Sequence, residues 1–399
     1  MKSRRLLALR LSGYGAAYFF AAGAYVSYWP EWLRDRGVGD VGIGTLFMIR
    51  QLALVPATFA VGWVAHKAGN LRAVLVVLAA AAFVLMAGYG ISSGFDAILV
   101  LTLVWGIVWS PTMALYERIL VVEAGMLGFA YGSLRLWGSV SYILGTVLCG
   151  VAVYHGGSPW VLYVVLAGLA MMMLMGLCTP DLAPPPPAPS PNLDQAPFGL
   201  RDLFASRPFL LFLIATTFCT GSHAMLLSMS TLIWRDAGID DVTISLLWGE
   251  AVVAEILLLM AGDWLVKRLG VCGMIGLGLA SGVLRWTGMA FTTELWALLL
   301  LQLLHAGTFA ACHIGAMAFI QRAIPHAGVT LAQTTYFAIG TGVVTGLLFE
   351  LSGDLHVVFG QHAFLCMAAV CGAGMLALLG LARTWDGAIA VGRPAAGAG

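Results

Sequence analysis

Seven ionisable side chains lie inside long apolar runs of this chain: Arg50, His223, Glu250, Glu255, Arg285, His305 and His313. Burying one such group in a membrane costs about 2.5–3.5 kcal/mol, so each is a candidate for chemistry before it is a candidate for packing. Glu255 lies about twelve residues into its run, near the middle of a helix rising ~1.5 Å per residue. A carboxyl at that depth can take up a proton on one side and release it on the other. The bland alternative is a structural ion pair with Arg285. Arg285 and Arg50 each offer a planar fork of donors that matches a carboxylate, so they are candidate counter-charges for an organic anion. His305 and His313 are eight residues apart, which on a regular α-helix puts them about 80° apart around the axis and about 12 Å along it. Imidazole carries a proton near neutral pH, although a histidine on an apolar helix is often only a satisfied packer. Glu250, five residues before Glu255, is turned away from it by about 140° and faces elsewhere. Trp105, Trp109, Trp137 and Trp248 could stack on an aromatic ligand, but single tryptophans in such runs more often pack or anchor.

The elements that must position these groups are membrane helices. The chain is 60% hydrophobic and 10% charged, with mean hydropathy +0.93. Soluble domains carry roughly 25% charged residues, and no water-facing surface can be built from so few. A spanning helix needs about 20 mostly apolar residues. Twelve segments qualify: 11–33, 42–65, 73–92, 96–116, 133–154, 159–178, 208–233, 243–265, 271–291, 295–320, 328–350 and 358–382. These runs are too long, and alternate too little, for barrel strands. A net charge of +1 excludes a broad nucleic-acid footprint. The seven cysteines form no CxxC pair, so neither a disulfide framework nor a zinc site is expected. The chain lacks an HExxH motif, a phosphate-cradling glycine loop and a Ser/His/Asp order, so it reads as neither an enzyme nor an ATP-driven pump, and no cofactor is expected.

Lys and Arg set the orientation. With the N-terminus inside, fourteen fall on one side (Lys2, Arg4, Arg5, Arg10, Lys67, Arg72, Arg118, Arg201, Arg207, Lys267, Arg268, Arg322, Arg383, Arg393) and three on the other (Arg34, Arg36, Arg235). The positive-inside rule then places both termini in the cytoplasm. Residues 179–207, rich in proline, read as an extended tether between a bundle over 1–178 and a second bundle, with a short tail, over 208–399. The halves repeat. A shift of 201 residues lays Arg34, Asp35, Gly37, Asp40, Val41, Ile43 and Leu46 on Arg235, Asp236, Gly238, Asp241, Val242, Ile244 and Leu247, and Lys67 and Gly69 on Arg268 and Gly270.

These residues carry a resemblance. The loop with Gly62, His66, Lys67, Gly69 and Arg72 resembles the gating-loop motif of the major facilitator superfamily, with His66 where an acidic residue is usual. Tyr131-Gly132, Arg135 and Trp137-Gly138 resemble the phenylpropionate permease branch, near the lactose/oligosaccharide and nucleoside proton symporters. So do Gly221, His223, Trp248, Glu255, Arg285-Trp286, Leu304-His305, Thr308-Phe309, His313 and Met317, with Arg50 at the branch's basic position. The resemblance implies an all-α membrane protein with the major facilitator fold, twelve helices in two six-helix bundles, acting as a monomer in a bacterial-type inner membrane. It implies proton coupling by Glu255, His305 and His313, and substrate contacts from Arg285, Arg50, His223 and Trp248; Glu250, outside the branch's pattern, is a further substrate-contact candidate as an ionisable group within a span. Gating falls to Gly62, His66, Lys67, Gly69, Arg72 and Arg135. The expected activity is proton symport of a small organic solute, best an aromatic or other monocarboxylic acid such as 3-phenylpropionate. A sugar or nucleoside symporter and a drug-efflux protein are alternatives. Copper transport through Met225/Met229 and His313/Met317 is a remote one, since i,i+4 thioether and imidazole pairs suit soft copper.

Overall fold

A computed structural model describes residues 2–179 and 198–391, and every regular element among them is helical. The proline-rich stretch from Pro180 to Pro197, most of the expected tether, lies outside the described residues, as does the tail after Val391. Helix is the outcome expected in lipid, where each segment must satisfy its own backbone polar groups. The first six are α1 (Lys2–Asp35), α2 (Asp40–Ala68), α3 (Leu71–Tyr89), α4 (Phe95–Leu127), α5 (Tyr131–Gly156) and α6 (Pro159–Cys178). A short α7 (Leu200–Ala205) follows, then α8 (Arg207–Gly221), α9 (Ala224–Asp236), α10 (Asp241–Met260), α11 (Gly262–Phe291), α12 (Leu295–Leu303) and α13 (Cys312–Ala323). Last come α14 (Val329–Phe337), α15 (Thr345–Phe359) and α16 (Phe364–Thr384). Among the described residues, ten helical stretches are long and apolar enough to cross a membrane, one of them the 59 residues of His326–Thr384. At ~1.5 Å per residue that stretch is far too long for one crossing. A turn at Gly360–Ala363 divides it into two spans. Adding α1, whose four tyrosines make it less apolar, gives twelve.

Several segments differ from expectation, among them Leu200–Ala205, a helix where an extended tether is expected. α4 continues past 116 to Leu127, through Glu117, Arg118 and Glu123, so its last turns extend beyond a hydrocarbon layer. The run expected as 208–233 is interrupted at Ser222–His223, between α8 and α9. The break frees carbonyls that lipid could not satisfy, and Ser222 and His223 repair it together: Ser222 Oγ donates to the Cys219 oxygen at 2.7 Å, the His223 amide to the Thr220 oxygen at 3.2 Å, and His223 Nδ1 lies 3.2 and 3.1 Å from the same two oxygens.

The internal repeat is legible in the backbone. Gly37 (φ 79°) and Gly238 (φ 85°) end α1 and α9 in the same left-handed turn. In each, the amide one residue on closes onto a carbonyl five residues back: Val38 to Leu33 at 3.1 Å and Ile239 to Trp234 at 3.0 Å. Gly69 (φ 64°, ψ −3°) and Gly270 (φ 69°, ψ 178°), the second aligned pair, share a positive φ but turn the chain differently, the latter inside α11. A Cβ at such a φ costs about 1–2 kcal/mol. Gly238→Ala is therefore expected to lower the unfolding free energy by about that much, read as a depressed melting temperature in nanodiscs, while Gly39→Ala, at an ordinary φ of −72°, is expected to be nearly silent.

The described chain separates into two compact units. One holds α1–α6 with Leu226–Gly249 and Phe349–Val357; the other holds the segment ending at Met225, Glu250–Leu348 and the residues from Val358 onward. In the first unit α1 packs against α5 and α6 through close backbone approach: a Cβ on Gly168 would lie 2.9 Å from the Ala21 backbone, and one on Gly145 would strike the Phe20 carbonyl. An aromatic column fills the core, with ring centroids at 4.4 Å for Tyr18–Trp109, 5.2 Å for Trp109–Trp105, 4.8 Å for Trp105–Tyr25 and 5.1 Å for Tyr25–Trp29. Trp105 and Trp109 are thus core aromatics, whereas Trp137 is exposed.

At one end of this unit the two repeats are bolted together. Arg34 Nη1 meets Asp236 at 2.8 Å and its Nη2 meets Glu31 at 3.0 Å. Arg235 pairs with the same Glu31 and lies 3.2 Å from Asp241. His356 Nδ1 is 2.8 Å from Asp40, and Thr45 donates to Glu350 at 3.1 Å. Half-exposed pairs contribute no more than about 1 kcal/mol each. Arg34→Gln with Arg235→Gln is therefore expected to leave the protein folded but to loosen this end. The readout is faster maleimide labelling of a thiol introduced as Thr231→Cys, a buried position.

Candidate functional site

The second unit contains a buried polar cluster built from α8, α10, α11 and the helix running from α12 to α13. At its centre Arg285, on α11, is fully buried. Its fork spans three neighbours. Nη2 donates to Gln302 Oε1, and Nη1 donates to His305 Nδ1 at 3.0 Å and to Thr308 Oγ1 at 3.2 Å. The guanidinium carbon also lies 4.8 Å from the Trp286 ring centroid. A guanidinium has no acceptor, so His305 Nδ1 must accept and the neutral ring carries its proton on Nε2. That Nε2 lies 3.7 Å from Glu255 Oε2. The chain of contacts therefore runs from a buried cation, through one imidazole, to a carboxyl that keeps 20% of its side chain exposed.

His223 closes the other side. Its Nδ1 faces two carbonyls and must be the donor, so Nε2 of the neutral ring accepts from Thr308 Oγ1 at 3.0 Å. Thr308 then accepts from Arg285 and donates to His223, which fixes the hydroxyl between them. Beneath this layer Trp286 Nε1 donates to Ser222 Oγ at 2.9 Å, and the Cys371 thiol donates to the same oxygen at 3.2 Å.

The connection between α12 and α13 is not α-helical. Ala306–Ala311 form a π-helix, with more than four residues per turn. This corrects the 80° expected between His305 and His313. The wider turn brings residues four apart into line, so the rings of His305, Phe309 and His313 form a ladder on one face. Centroids are 5.5 Å apart for the first pair and 6.5 Å for the second, with interplanar angles of 15° and 14°. π-turns of this kind often mark functional sites.

The other candidates fall elsewhere. Glu250 shares α10 with Glu255, but its buried Oε2 has no hydrogen-bond partner among the described residues. Arg50 lies in the first unit, 3.2 Å from Gln51 Oε1 and between the Tyr25 and Phe47 rings at 5.6 and 5.7 Å. Trp248, also there, is buried and donates to Thr231 at 3.1 Å. Of the expected gating residues, Lys67 sits over Trp63 at 4.0 Å, Arg72 donates to the Leu177 carbonyl at 2.6 Å, and Gly69 caps α2. His66 is exposed, and Gly62 has open space around its Cα. Arg135 pairs with Glu117 at 2.9 Å and covers the Phe19 ring at 4.0 Å. Gln302 was not foreseen, and Thr308 only as part of a motif. A glutamine inside an apolar run, three residues before His305, is the one available signal. No group of three or more His, Cys, Asp or Glu side chains suited to a metal occurs among the described residues.

A membrane-spanning helical fold with an internal repeat and a buried Arg–His–Glu cluster defines a secondary transporter, not an enzyme. The MFS_1 like family model matches residues 9–365, and the chain belongs to that family. It is 28% identical to the protein of Escherichia coli (strain K12) described as "Probable 3-phenylpropionic acid transporter", over 93% of this chain and 96% of that one. It is 25% identical to the maltose permease of Geobacillus stearothermophilus, over 92% of each chain. In three dimensions it matches the crystal structure of the nucleoside transporter NupG with a TM-score of 0.81 at 17% identity, covering 94% of this chain and 99% of that one. It is thus a major facilitator transporter that moves a small molecule across a lipid bilayer.

Proposed function

We propose that the chain is a proton-coupled symporter that imports a small organic acid, best an aromatic monocarboxylate of the 3-phenylpropionate type. It would sit in a bacterial-type inner membrane, with both termini cytoplasmic. The observation that carries the reading is the Arg285–His305–Glu255 relay in a helix-lined interior. Glu255 takes the proton. His305, held in one tautomer by Arg285, presents its Nε2 proton to the carboxylate and stabilises its charged form. Uptake of a proton by Glu255 from one side of the membrane, or its release to the other, changes the net charge of the cluster by one. That change can be matched by a monovalent anion arriving or leaving. Arg285 acts here by ordering Gln302, His305 and Thr308, and by supplying a fixed positive field. Access would alternate by relative motion of residues 1–178 and 208–399.

The test is uptake of radiolabelled 3-phenylpropionate into proteoliposomes, with and without an inward proton gradient. Uptake that rises with the gradient and collapses with a protonophore is expected. Gradient-driven uptake of maltose or uridine, with none of the acid, would overturn the substrate class and leave the symporter. Uptake indifferent to the gradient would overturn the coupling.

A further inference from the structure

We propose that Phe309 is the stacking platform for the substrate's arene, presented by the π-helix between two imidazoles. The inference deepens the carboxylic-acid reading above and rests on it. Three observations converge. Phe309 is 44% exposed, although Gly307, Thr308, Ala310 and Ala311 around it are buried. Its ring is held nearly parallel to His305 on one side and His313 on the other, so its orientation is set by the helix and not by a ligand. The face that carries it holds two imidazoles, a costly choice for a surface turned to lipid. Beyond His313 the same face opens into a cleft of about 390 Å³ whose lining includes Lys267, Arg322, Asp263, Ile314 and Met317. Phe309 thus stands between a proton-carrying cluster and a polar, partly basic opening.

The chemistry follows from what is free. Both terminal nitrogens of the Arg285 fork already donate, to Gln302, His305 and Thr308, and its Nε, though without a partner among the described residues, is fully buried, so a ligand carboxylate does not meet it directly. The His313 ring, by contrast, makes only ring contacts among the described residues, with Phe309 and with Phe337 at 6.2 Å. An arene lying on Phe309 can place a carboxylate two or three bonds away at His313, 6.5 Å along the ladder. A flat ring would use the offset-stacked geometry that aromatic pairs prefer; a puckered ring of the same size could not.

The test uses two acids with the same side chain and charge, 3-phenylpropionate and 3-cyclohexylpropionate. Their dissociation constants are measured on full-length protein in nanodiscs. Phe309→Leu keeps an apolar side chain and removes the π face. The affinity ratio favouring the phenyl acid is expected to fall by about two- to tenfold in this variant. Phe309→Trp is expected to hold or raise the ratio, and it decides the matter if the leucine variant is not folded. His313→Gln is expected to weaken both acids alike and leave the ratio unchanged. A wild-type ratio in folded Phe309→Leu would overturn the platform while leaving the transporter reading intact. Wild-type protein that binds neither acid would overturn both.

Discussion

Glu255→Gln is expected to cripple gradient-driven accumulation while sparing exchange. Loss of a side chain that transfers a proton typically costs about 10²–10⁴-fold. Uptake of 3-phenylpropionate against its gradient is therefore expected to fall by about two orders of magnitude in proteoliposomes, with counterflow between labelled and unlabelled acid retained. The asymmetry follows from the geometry. Glutamine is nearly the size of glutamic acid and can still meet His305 Nε2, 3.7 Å from the carboxylate it replaces. It mimics the protonated state and cannot leave it. Glu250→Gln is the control: Glu250 lies on another side of α10, and its buried oxygen has no hydrogen-bond partner among the described residues. Equal losses in both variants would remove the relay from the mechanism. Full accumulation by Glu255→Gln would place the proton elsewhere, with His305 first in line.

The second large effect is expected from Arg285→Lys, a change that keeps the charge. The arginine fork bridges Gln302 on one nitrogen and His305 with Thr308 on the other. A lysine ammonium is a point donor on a flexible stem and cannot span both. A hydrogen bond to a charged group contributes about 1.5–3 kcal/mol, and an acceptor left buried without a partner costs about as much again. Gln302, fully buried, would lose its guanidinium donor. The variant is expected to lose about 3 kcal/mol of stability, read as a lowered melting temperature in nanodiscs, and to lose at least about tenfold in uptake because His305 is no longer held in one tautomer. Arg285→Met separates the two effects. It removes the buried charge and its desolvation cost, so it is expected to melt closer to wild type than the lysine variant while transporting no better. Wild-type melting and uptake in Arg285→Lys would show that the fork is not used.

Both predictions rest on residues that the sequence singles out, joined by contacts that it does not reveal. Glu255, Arg285, His223 and His305 stand out because a charged or polar group in an apolar run is costly. The cost is a one-dimensional property, visible wherever hydropathy is. Whether such groups meet is a three-dimensional one. Of the residues marked for substrate, Arg285 and His223 join the cluster. Arg50 and Trp248 lie with the first unit, and Glu250 faces away from Glu255. Gln302 is as deeply buried as Arg285, yet an uncharged glutamine raises little alarm in an apolar run.

The number of spans, their approximate limits and the repeat were determined by sequence alone. In lipid each segment must satisfy its own backbone, so length and apolarity decide a helix without reference to its neighbours. The matched glycines at 37 and 238, and at 69 and 270, follow equally from local rules, because only glycine enters those turns without strain. Tertiary structure alone decided the rest. The break at Ser222–His223 persists because the Ser222 hydroxyl and the His223 amide and imidazole cover the exposed carbonyls. The π-turn at Ala306–Ala311 accompanies close packing on α11, where Gly278 leaves room for the Gly307 carbonyl. That turn aligned His305, Phe309 and His313, which a regular α-helix would have splayed. The physical reason is that lipid fixes hydrogen bonding within a helix, whereas helix phase and side-chain partnership are set by the helices packed beside it.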